Sequence, residues 1–276
     1  MAAADVPAAM RLKDAAGWNQ TASDWAAFLA ASPDGCFVAE REGRVIGTAA
    51  TIAYGGRVAW VGMVIVEEDL RGQGIGSRLL ERAIAHLDAL RVPAVRLDAT
   101  PAGRPLYEKC GFAAEWGIER WVLAREAPGA ARAGEQPQSP GTARLDRIIE
   151  LDWEAFGADR SALLHAVAAA APELVVAAPR DGAVAAGALG RHGTFADHLG
   201  PWLAPDASHA ATLLDEFLRR SGRERIFVDC ASAPAVALVR ARGFSFSRPL
   251  TRMVRGAPPA HSAPRSLFGV LGPEFG

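Results

Sequence analysis

The residues with the clearest capacity for chemistry form the run Arg71-Gly-Gln-Gly-Ile-Gly76, which follows an apolar segment ending at Val66 and precedes an amphipathic segment beginning at Ser77. Glycines carry no Cβ atom, so alternating glycines let several backbone amides converge on one anion. A helix that starts at this point adds unpaired N–H groups and the positive end of its dipole. The pattern therefore predicts a site for a phosphate or a diphosphate.

Two alternatives exist for this loop. The dinucleotide-binding fingerprint shares Gly72-x-Gly74 and an acidic residue further on, here Asp98. Its third glycine would stand at Ser77, however, and five residues separate the strand from Gly72, where that fingerprint requires a tight turn. We therefore reject the fingerprint. A glycine-rich turn that binds no ligand stays open as the second alternative.

A second motif lies further along the chain. The pair Leu106-Tyr107 is followed, after three residues, by Gly111-Phe112. These two motifs, in this order and with an apolar strand at residues 95–98 between them, resemble the GNAT superfamily of acetyl-CoA-dependent N-acetyltransferases. The resemblance extends over residues 5–124 and, more weakly, over residues 144–256.

The resemblance implies a reaction and a set of residues. Acetyl-CoA would be the co-substrate, and a primary amine of a small molecule or peptide would attack its thioester directly in a ternary complex. Tyr107 would be the general acid that protonates the departing thiolate. Thr100 stands about where the family commonly has an asparagine. The implied cofactor-binding residues are Val64, Val66, Arg71, Gly72, Gln73, Gly74, Ile75, Gly76, Ser77 and Thr100.

The groups on the acceptor side are less defined. A protonated amine cannot attack a carbonyl carbon, so a base is needed. Family members often carry a glutamate on the strand before the loop, but residues 57–66 contain no carboxylate. Glu67, Asp98 and Glu115 are candidates, and the base stays unassigned. The acceptor pocket that the resemblance implies includes Trp18, Asn19 and Trp116.

The elements that must position these residues can be read from periodicity. In the first half, helices are predicted over 5–16, 21–31, 77–90 and 104–110, and strands over 36–40, 44–54, 57–66, 94–99, 112–116 and 119–124. Mixed strands and helices in this order indicate an α+β, or mixed α/β, fold. The resemblance adds a largely antiparallel sheet that is splayed in the middle and flanked by helices.

The chain also contains an internal repeat. A strand ending in Asp98 leads to Gly111-Phe112, and a strand ending in Asp229 leads to Gly243-Phe244. We therefore predict a catalytic domain over 1–125, a linker over 126–142, a degenerate second domain over 143–256 and a Pro/Gly-rich tail over 257–276. The second copy has no glycine across its loop at 201–214, and Leu238-Val239 replaces the tyrosine motif. We expect it to bind coenzyme A poorly and to catalyse nothing.

The composition bears on partners, disulfides and metal sites. Lysine and arginine total 30 against 31 aspartates and glutamates, so no basic surface for nucleic acid or for an anionic membrane is expected. Three scattered cysteines and six histidines without ligand spacing predict no disulfide framework and no metal site. We expect a cytoplasmic protein, either monomeric through its tandem domains or homodimeric. An acyl-CoA sensor without turnover is the alternative function.

Overall fold

The computed structural model describes residues 1–126, 142–180, 183–258 and 260–276, so the predicted linker lies almost entirely outside the described residues. The described residues form two compact units. Unit 1 contains residues 1–115, 251–258 and 273–276. Unit 2 contains the described part of 116–250 together with 260–272.

Helices and strands alternate through both halves of the chain. The helices are α1 (Val6–Ala15), α2 (Ala22–Ala31), α3 (Ile75–Ala89), α4 (Arg104–Lys109), α5 (Thr142–Phe156), α6 (Ser161–Ala170), α7 (Ala207–Arg220) and α8 (Ala233–Ala241). The strands are β1 (Cys36–Arg41), β2 (Arg44–Tyr54), β3 (Val58–Val66), β4 (Ala94–Ala99), β5 (Ala113–Ala124), β6 (Val176–Arg180), β7 (Ala183–His192), β8 (Asp197–Leu203), β9 (Arg225–Cys230), β10 (Ser245–Arg255) and β11 (Leu267–Gly269). The mixed α/β fold is confirmed.

Local sequence signals explain several of these boundaries. Thr21 caps α2, since its hydroxyl accepts from the Asp24 amide while the Asp24 carboxylate accepts from the Thr21 amide. Gly55 and Gly56, with φ of 55° and 68°, form the hairpin turn between β2 and β3. Helix α3 buries one apolar face, as its periodicity predicts. That face consists of Leu79, Leu80, Ala83, Ile84 and Leu87.

The sheet of unit 1 runs in the order β1, β2, β3, β4 and the second part of β10. Strands β3 and β4 are parallel, and the other neighbours are antiparallel. Helix α3 packs its apolar face against Ala59, Val61 and Leu97. Helix α1 packs through Leu12 against Val45 and Ile65. These contacts fix β3, and with it the segment that leads into the glycine loop.

The sheet of unit 2 contains β5, β9, β11, β8, β7 and β6 in that order. Strands β8 and β9 are parallel over residues 197–199 and 226–228. The core between this sheet and helices α7 and α8 is built around Trp202, Phe217 and Phe244. This arrangement repeats that of unit 1, with β8 and β9 in the places of β3 and β4.

Each unit takes its last strand from the other half of the sequence. Residues 119–124 were expected to close the first half, but they pair with β9 in unit 2. Residues 251–255 pair with β4 in unit 1. One buried ion pair accompanies each exchange: Arg120 binds both carboxylate oxygens of Asp229, and Arg252 binds both of Asp98. The two aspartates that mark the repeat in the sequence therefore hold the exchanged strands.

Replacing Arg252 by methionine should lower the free energy of unfolding by about 3–5 kcal/mol, because the buried Asp98 carboxylate would lose its counter-charge. Urea unfolding measures this change. In Arg104→Ala, which breaks the exposed pair with Glu108, the loss should be about 1 kcal/mol or less. Equal stability losses in the two variants would contradict the anchoring role of Arg252.

Candidate functional site

A gap opens in the sheet of unit 1 between β3 and β4. The two strands pair only through residues 58–60 and 94–96, although β3 continues to Val66. The Glu67 amide donates to the Ile46 carbonyl, so by alternation the backbone groups of Val66 and Val64 face away from β2, toward the gap. A bulge at Met63, whose φ is 57°, interrupts the β2 ladder at the same place. The gap thus offers strand-like hydrogen-bonding groups to an extended ligand.

The glycine loop lies directly beyond the end of β3. Gly72 and Gly74 have φ of 77° and 80°, which side chains with a Cβ rarely adopt, and the space beside each Cα is open. Helix α3 begins at Ile75 with Gly74 as its cap. No amide from Gly72 to Ser77 donates to a backbone carbonyl among the described residues. These six consecutive N–H groups, with the helix dipole behind them, fit a diphosphate.

Arg71 and Thr100 are partly committed to local contacts. The Arg71 Nε donates to the Val66 carbonyl at 3.1 Å, and its guanidinium lies 3.8 Å from the Glu68 carboxylate. The Val66 carbonyl is therefore occupied, while its amide still faces the gap. The Thr100 hydroxyl accepts from the Gly103 amide and so caps the turn that leads into α4.

Tyr107 lies on α4 and is partly buried. Its ring packs edge-on against Phe112 at 6.2 Å, within the cluster that α3 forms with the sheet. Burial, with a smaller contribution from Cys110, raises the pKa of Tyr107 to about 12, so the phenol stays protonated at neutral pH. Its hydroxyl makes no hydrogen bond to any described residue. It is therefore a proton donor that no contact within the described part of the chain uses.

The three carboxylates considered as bases are all held by arginines. Glu67 binds Arg44, with contacts of 2.8 Å from both guanidinium nitrogens. Asp98 binds Arg252 as described above, and Arg96 makes two contacts of 2.8 and 3.1 Å with Glu115. Each of the three carboxylates thus has an arginine partner, and the base stays unassigned.

The predicted acceptor residues fall in different units. Trp18 is half-buried on Leu12, Val45 and Ile65, and Asn19 beside it is buried in the α1–α2 loop; both belong to unit 1. Trp116 belongs to unit 2, where it packs against the cluster around Ile118. Unit 1 by itself therefore contains two of the three.

In unit 2 the corresponding gap is filled by the chain itself. Beyond their paired residues, β8 and β9 are bridged by β11, which pairs with Trp202 and Leu203 on one side and with Cys230 on the other. Gly200 is the counterpart of Gly62. It lies so close to the backbone of Val270 that a Cβ added to Gly200 would overlap the Val270 carbonyl oxygen. Strand β11 thus occupies the place that an extended ligand would take.

Sequence reasoning missed the roles of the C-terminal residues. The tail over 257–276 is rich in Pro and Gly, and its only signal of burial is a few apolar residues, which name no docking site. Leu267, Phe268, Val270 and Leu271 are all buried. The following segment, 273–276, returns to unit 1 and packs beside β3.

Family models match the chain twice. The Acetyltransferase (GNAT) family matches residues 9–112, and the Acetyltransferase (GNAT) domain matches residues 148–269. Together these stretches span more than half of the chain. The first contains the glycine loop and Tyr107, whereas the second contains the filled gap of unit 2.

Individual relatives agree with these matches. An uncharacterized N-acetyltransferase of Bacillus subtilis, YitH, is 30% identical over 159 residues, which cover 58% of this chain and 56% of that protein. A holothin acyltransferase of Pseudoalteromonas is 26% identical over 53% of this chain and 48% of its own. The chain thus spans about half the length of these curated relatives.

Solved structures share the fold over the whole chain. A Pyrococcus horikoshii protein assigned to the acetyltransferases has a TM-score of 0.79 at 22% identity, covering 100% of this chain and 94% of its own. A GCN5-related N-acetyltransferase from Sphaerobacter thermophilus has a TM-score of 0.65 at 19% identity, covering 95% of this chain and 97% of its own.

Within the described ranges, no helix has the length and apolar character to cross a bilayer.

Replacing Gly200 by alanine should displace the segment around Val270, because the new Cβ would overlap its carbonyl oxygen. We expect a loss of about 1–3 kcal/mol in the free energy of unfolding, typical of overpacking, together with faster proteolysis near the C-terminus. Gly222→Ala adds a Cβ in open space and serves as the matched control. If both variants resist protease as the wild type does, the filled gap is not a feature of the protein in solution.

Proposed function

The chain belongs to the GNAT acetyltransferase family, and from this premise we propose that unit 1 transfers an acetyl group from acetyl-CoA to a primary amine. The observation that carries the proposal is the row of six amides at Gly72–Ser77, which no backbone carbonyl of the described residues accepts from and which lie beyond the end of β3, where β3 no longer pairs with β4. A pyrophosphate on these amides leaves the pantetheine arm to run as an extra strand along Val66 and Val64. The thioester then lies in the gap between β3 and β4.

Direct attack suits this geometry. The amine adds to the thioester carbon, and negative charge develops on the carbonyl oxygen. A backbone N–H at Val64, turned toward the gap by the Met63 bulge, stabilises that charge as an oxyanion-hole donor. As the intermediate collapses, its nitrogen loses one proton to solvent and the carbon–sulfur bond breaks. Coenzyme A leaves as a thiolate, which takes a proton from Tyr107.

The proton transfer from Tyr107 depends on the burial of both the phenol and the thiolate that receives the proton. A phenol of pKa about 12 is a weaker acid than an ordinary thiol of pKa about 8.5, so in water this transfer would be unfavourable. The neighbouring Cys110 thiol also has a raised pKa, mainly because it is desolvated. A coenzyme A thiolate in the same surroundings is a stronger base than in water, so the difference in pKa between the Tyr107 phenol and the thiol becomes smaller.

Unit 2 has a different role in this proposal. Its gap is occupied by β11, its loop has no glycine, and Val239 stands where Tyr107 stands in the first copy. We assign it no coenzyme A and no chemistry of its own. The second half of the sequence contributes structure to unit 1, because its residues 251–255 pair with β4.

Replacing Gly74 by alanine should raise the Kd for coenzyme A about tenfold, because a residue with a Cβ disfavours a φ of 80° and the first amides of α3 would turn away. Isothermal titration measures the affinity. Gly43→Ala is the control, since Gly43 has a similar φ of 73° and similar open space but lies outside the loop. Similar Kd changes in both variants would contradict the assignment of the loop.

Release of coenzyme A thiol from acetyl-CoA, measured with a panel of primary amines, tests the function itself. We expect amine-dependent release by the wild type and, in Tyr107→Phe, a kcat about 10²-fold lower with an unchanged Kd for acetyl-CoA. The melting temperature should be unchanged, because the hydroxyl has no bond to lose within the described chain. Binding of acetyl-CoA without turnover of any amine would favour the sensor instead. Full activity of the variant would remove Tyr107 from the mechanism.

A further inference from the structure

The peptide unit between Met63 and Val64 lies at the bulge in β3. The register between β2 and β3 shifts by one residue after Thr48, so Met63 and Val64 together lie opposite Ala49. Met63 has a φ of 57°, which at this position of a bulge is usually adopted by glycine. A residue with a Cβ keeps such a conformation only where its surroundings hold it in place. The bulge therefore needs a contact that fixes its backbone.

The Thr48 side chain makes such a contact. Thr48 is fully buried on β2, and its hydroxyl donates to the Met63 carbonyl oxygen at 2.7 Å. The bond joins the side chain of one strand to the backbone of the bulged residue in the next strand. The Met63 carbonyl is therefore held in the direction of β2.

The direction of the Met63 carbonyl sets the direction of the Val64 amide. Both groups belong to one trans peptide unit, which is planar, so its C=O and N–H bonds point in opposite directions. Because the carbonyl points toward Thr48, the Val64 N–H points away from β2 and toward the gap. A hydrogen bond to the carbonyl also polarises the peptide and strengthens its N–H as a donor. The hydroxyl thus both orients and strengthens the proposed oxyanion donor.

The second unit has the same bulge without this hydroxyl. The register between β7 and β8 shifts between Ala188 and Gly190, and Ala188 takes the position that Thr48 has in unit 1. The stretch of β8 opposite this shift includes Pro201, which has no amide hydrogen. The threonine therefore occurs in the unit that contains Tyr107 and the glycine loop, whereas the unit whose gap is filled by β11 has an alanine.

We propose that Thr48 is a positioning residue, whose hydroxyl fixes and polarises the Met63–Val64 peptide so that the Val64 N–H binds the thioester carbonyl oxygen. This inference rests on the proposed function and deepens it. As the amine adds to the thioester carbon, the electron pair of the C=O double bond moves onto the oxygen, where the Val64 N–H stabilises the charge. Thr48 itself gives up no proton and touches no reacting atom.

The variant Thr48→Val keeps the shape of the side chain and removes the hydroxyl. With an amine that the wild type acetylates, kcat should fall at least about tenfold, which is less than the roughly 10²–10³-fold loss expected when an oxyanion donor is removed outright. The Kd for coenzyme A should be unchanged, because the amides of residues 72–77 are not disturbed. Thr48→Ser keeps the hydroxyl and should retain most of the wild-type kcat.

Thr51→Val is the matched control. Thr51 lies on the same strand, is also fully buried, and donates its hydroxyl hydrogen to the Gly35 carbonyl at 3.0 Å, away from the bulge. Each valine variant removes the hydroxyl that donates to a backbone carbonyl, so each should lower the melting temperature by about 2–4 °C. Only Thr48→Val should also lower kcat. An equal fall in kcat in both variants would mean that the loss arises from lower stability, and would contradict the positioning role.

Infrared spectroscopy of bound acetyl-CoA, labelled with ¹³C at the thioester carbonyl, tests the donor without any turnover. A hydrogen bond to the carbonyl oxygen weakens the C=O bond and lowers its stretching frequency. In the absence of an amine, the bound carbonyl should therefore absorb at a higher frequency in Thr48→Val than in the wild type or in Thr51→Val.

The outcomes separate the inference from the function it rests on. If the wild type binds acetyl-CoA but releases no thiol with any amine, the proposed transfer fails, and the carbonyl frequency still decides the role of Thr48. One frequency in all three proteins, or a wild-type kcat in Thr48→Val, would overturn the inference. A higher frequency and a lower kcat confined to Thr48→Val support it.

Discussion

Parallel strands that diverge leave backbone N–H and C=O groups without partners, and buried groups of this kind must be satisfied. This constraint applies twice in the chain. In unit 2 it is met within the molecule, because β11 pairs with both β8 and β9. In unit 1 the groups of β3 that face β4 after Trp60 have no strand partner among the described residues. We propose that an extended thioester arm meets the need in unit 1, as the polypeptide does in unit 2.

The helix that follows each gap also differs between the units: in unit 1 its first amides are available to a ligand, and in unit 2 a side chain caps them. In unit 1, β3 leads into a glycine loop; six amides, from Gly72 in the loop to Ser77 in the first turn of α3, donate to no backbone carbonyl of the described residues. In unit 2, β8 leads to α7, where the Asp206 side chain accepts from the His209 amide and so caps the helix. A side-chain carboxylate thus occupies the helix terminus that would otherwise attract a phosphate. Loss of the ligand site and its replacement by internal contacts therefore go together.

Features that depend on neighbours in sequence were predictable. The Thr21 cap, the Gly55-Gly56 turn and the apolar face of α3 follow from residue type and spacing over a few positions, and the structure contains all three. The positive φ of Gly111 and of Gly243 also follows from their places after helices. The glycine loop belongs to this group, since its conformation is set by its own residues.

Features that depend on distant partners were not predictable. Periodicity predicts a strand over 119–124, but nothing local selects the sheet that this strand, or residues 251–255 of β10, joins. The selecting contacts include Arg252 with Asp98, which are 154 residues apart, and Arg120 with Asp229. The same limit hid the hydrogen bond between Gln20 and Glu274, which are 254 residues apart. Residues 273–276 contain Pro and Gly and have no period that would indicate burial.

Amide hydrogen exchange with and without coenzyme A tests most directly whether one gap is open to the ligand and the other is filled by the chain. Coenzyme A should slow exchange at residues 72–78 and along 64–66, and should leave residues 200–208 unchanged. Protection at residues 200–208, or bound coenzyme A with no protection at residues 72–78, would contradict this assignment of the two gaps.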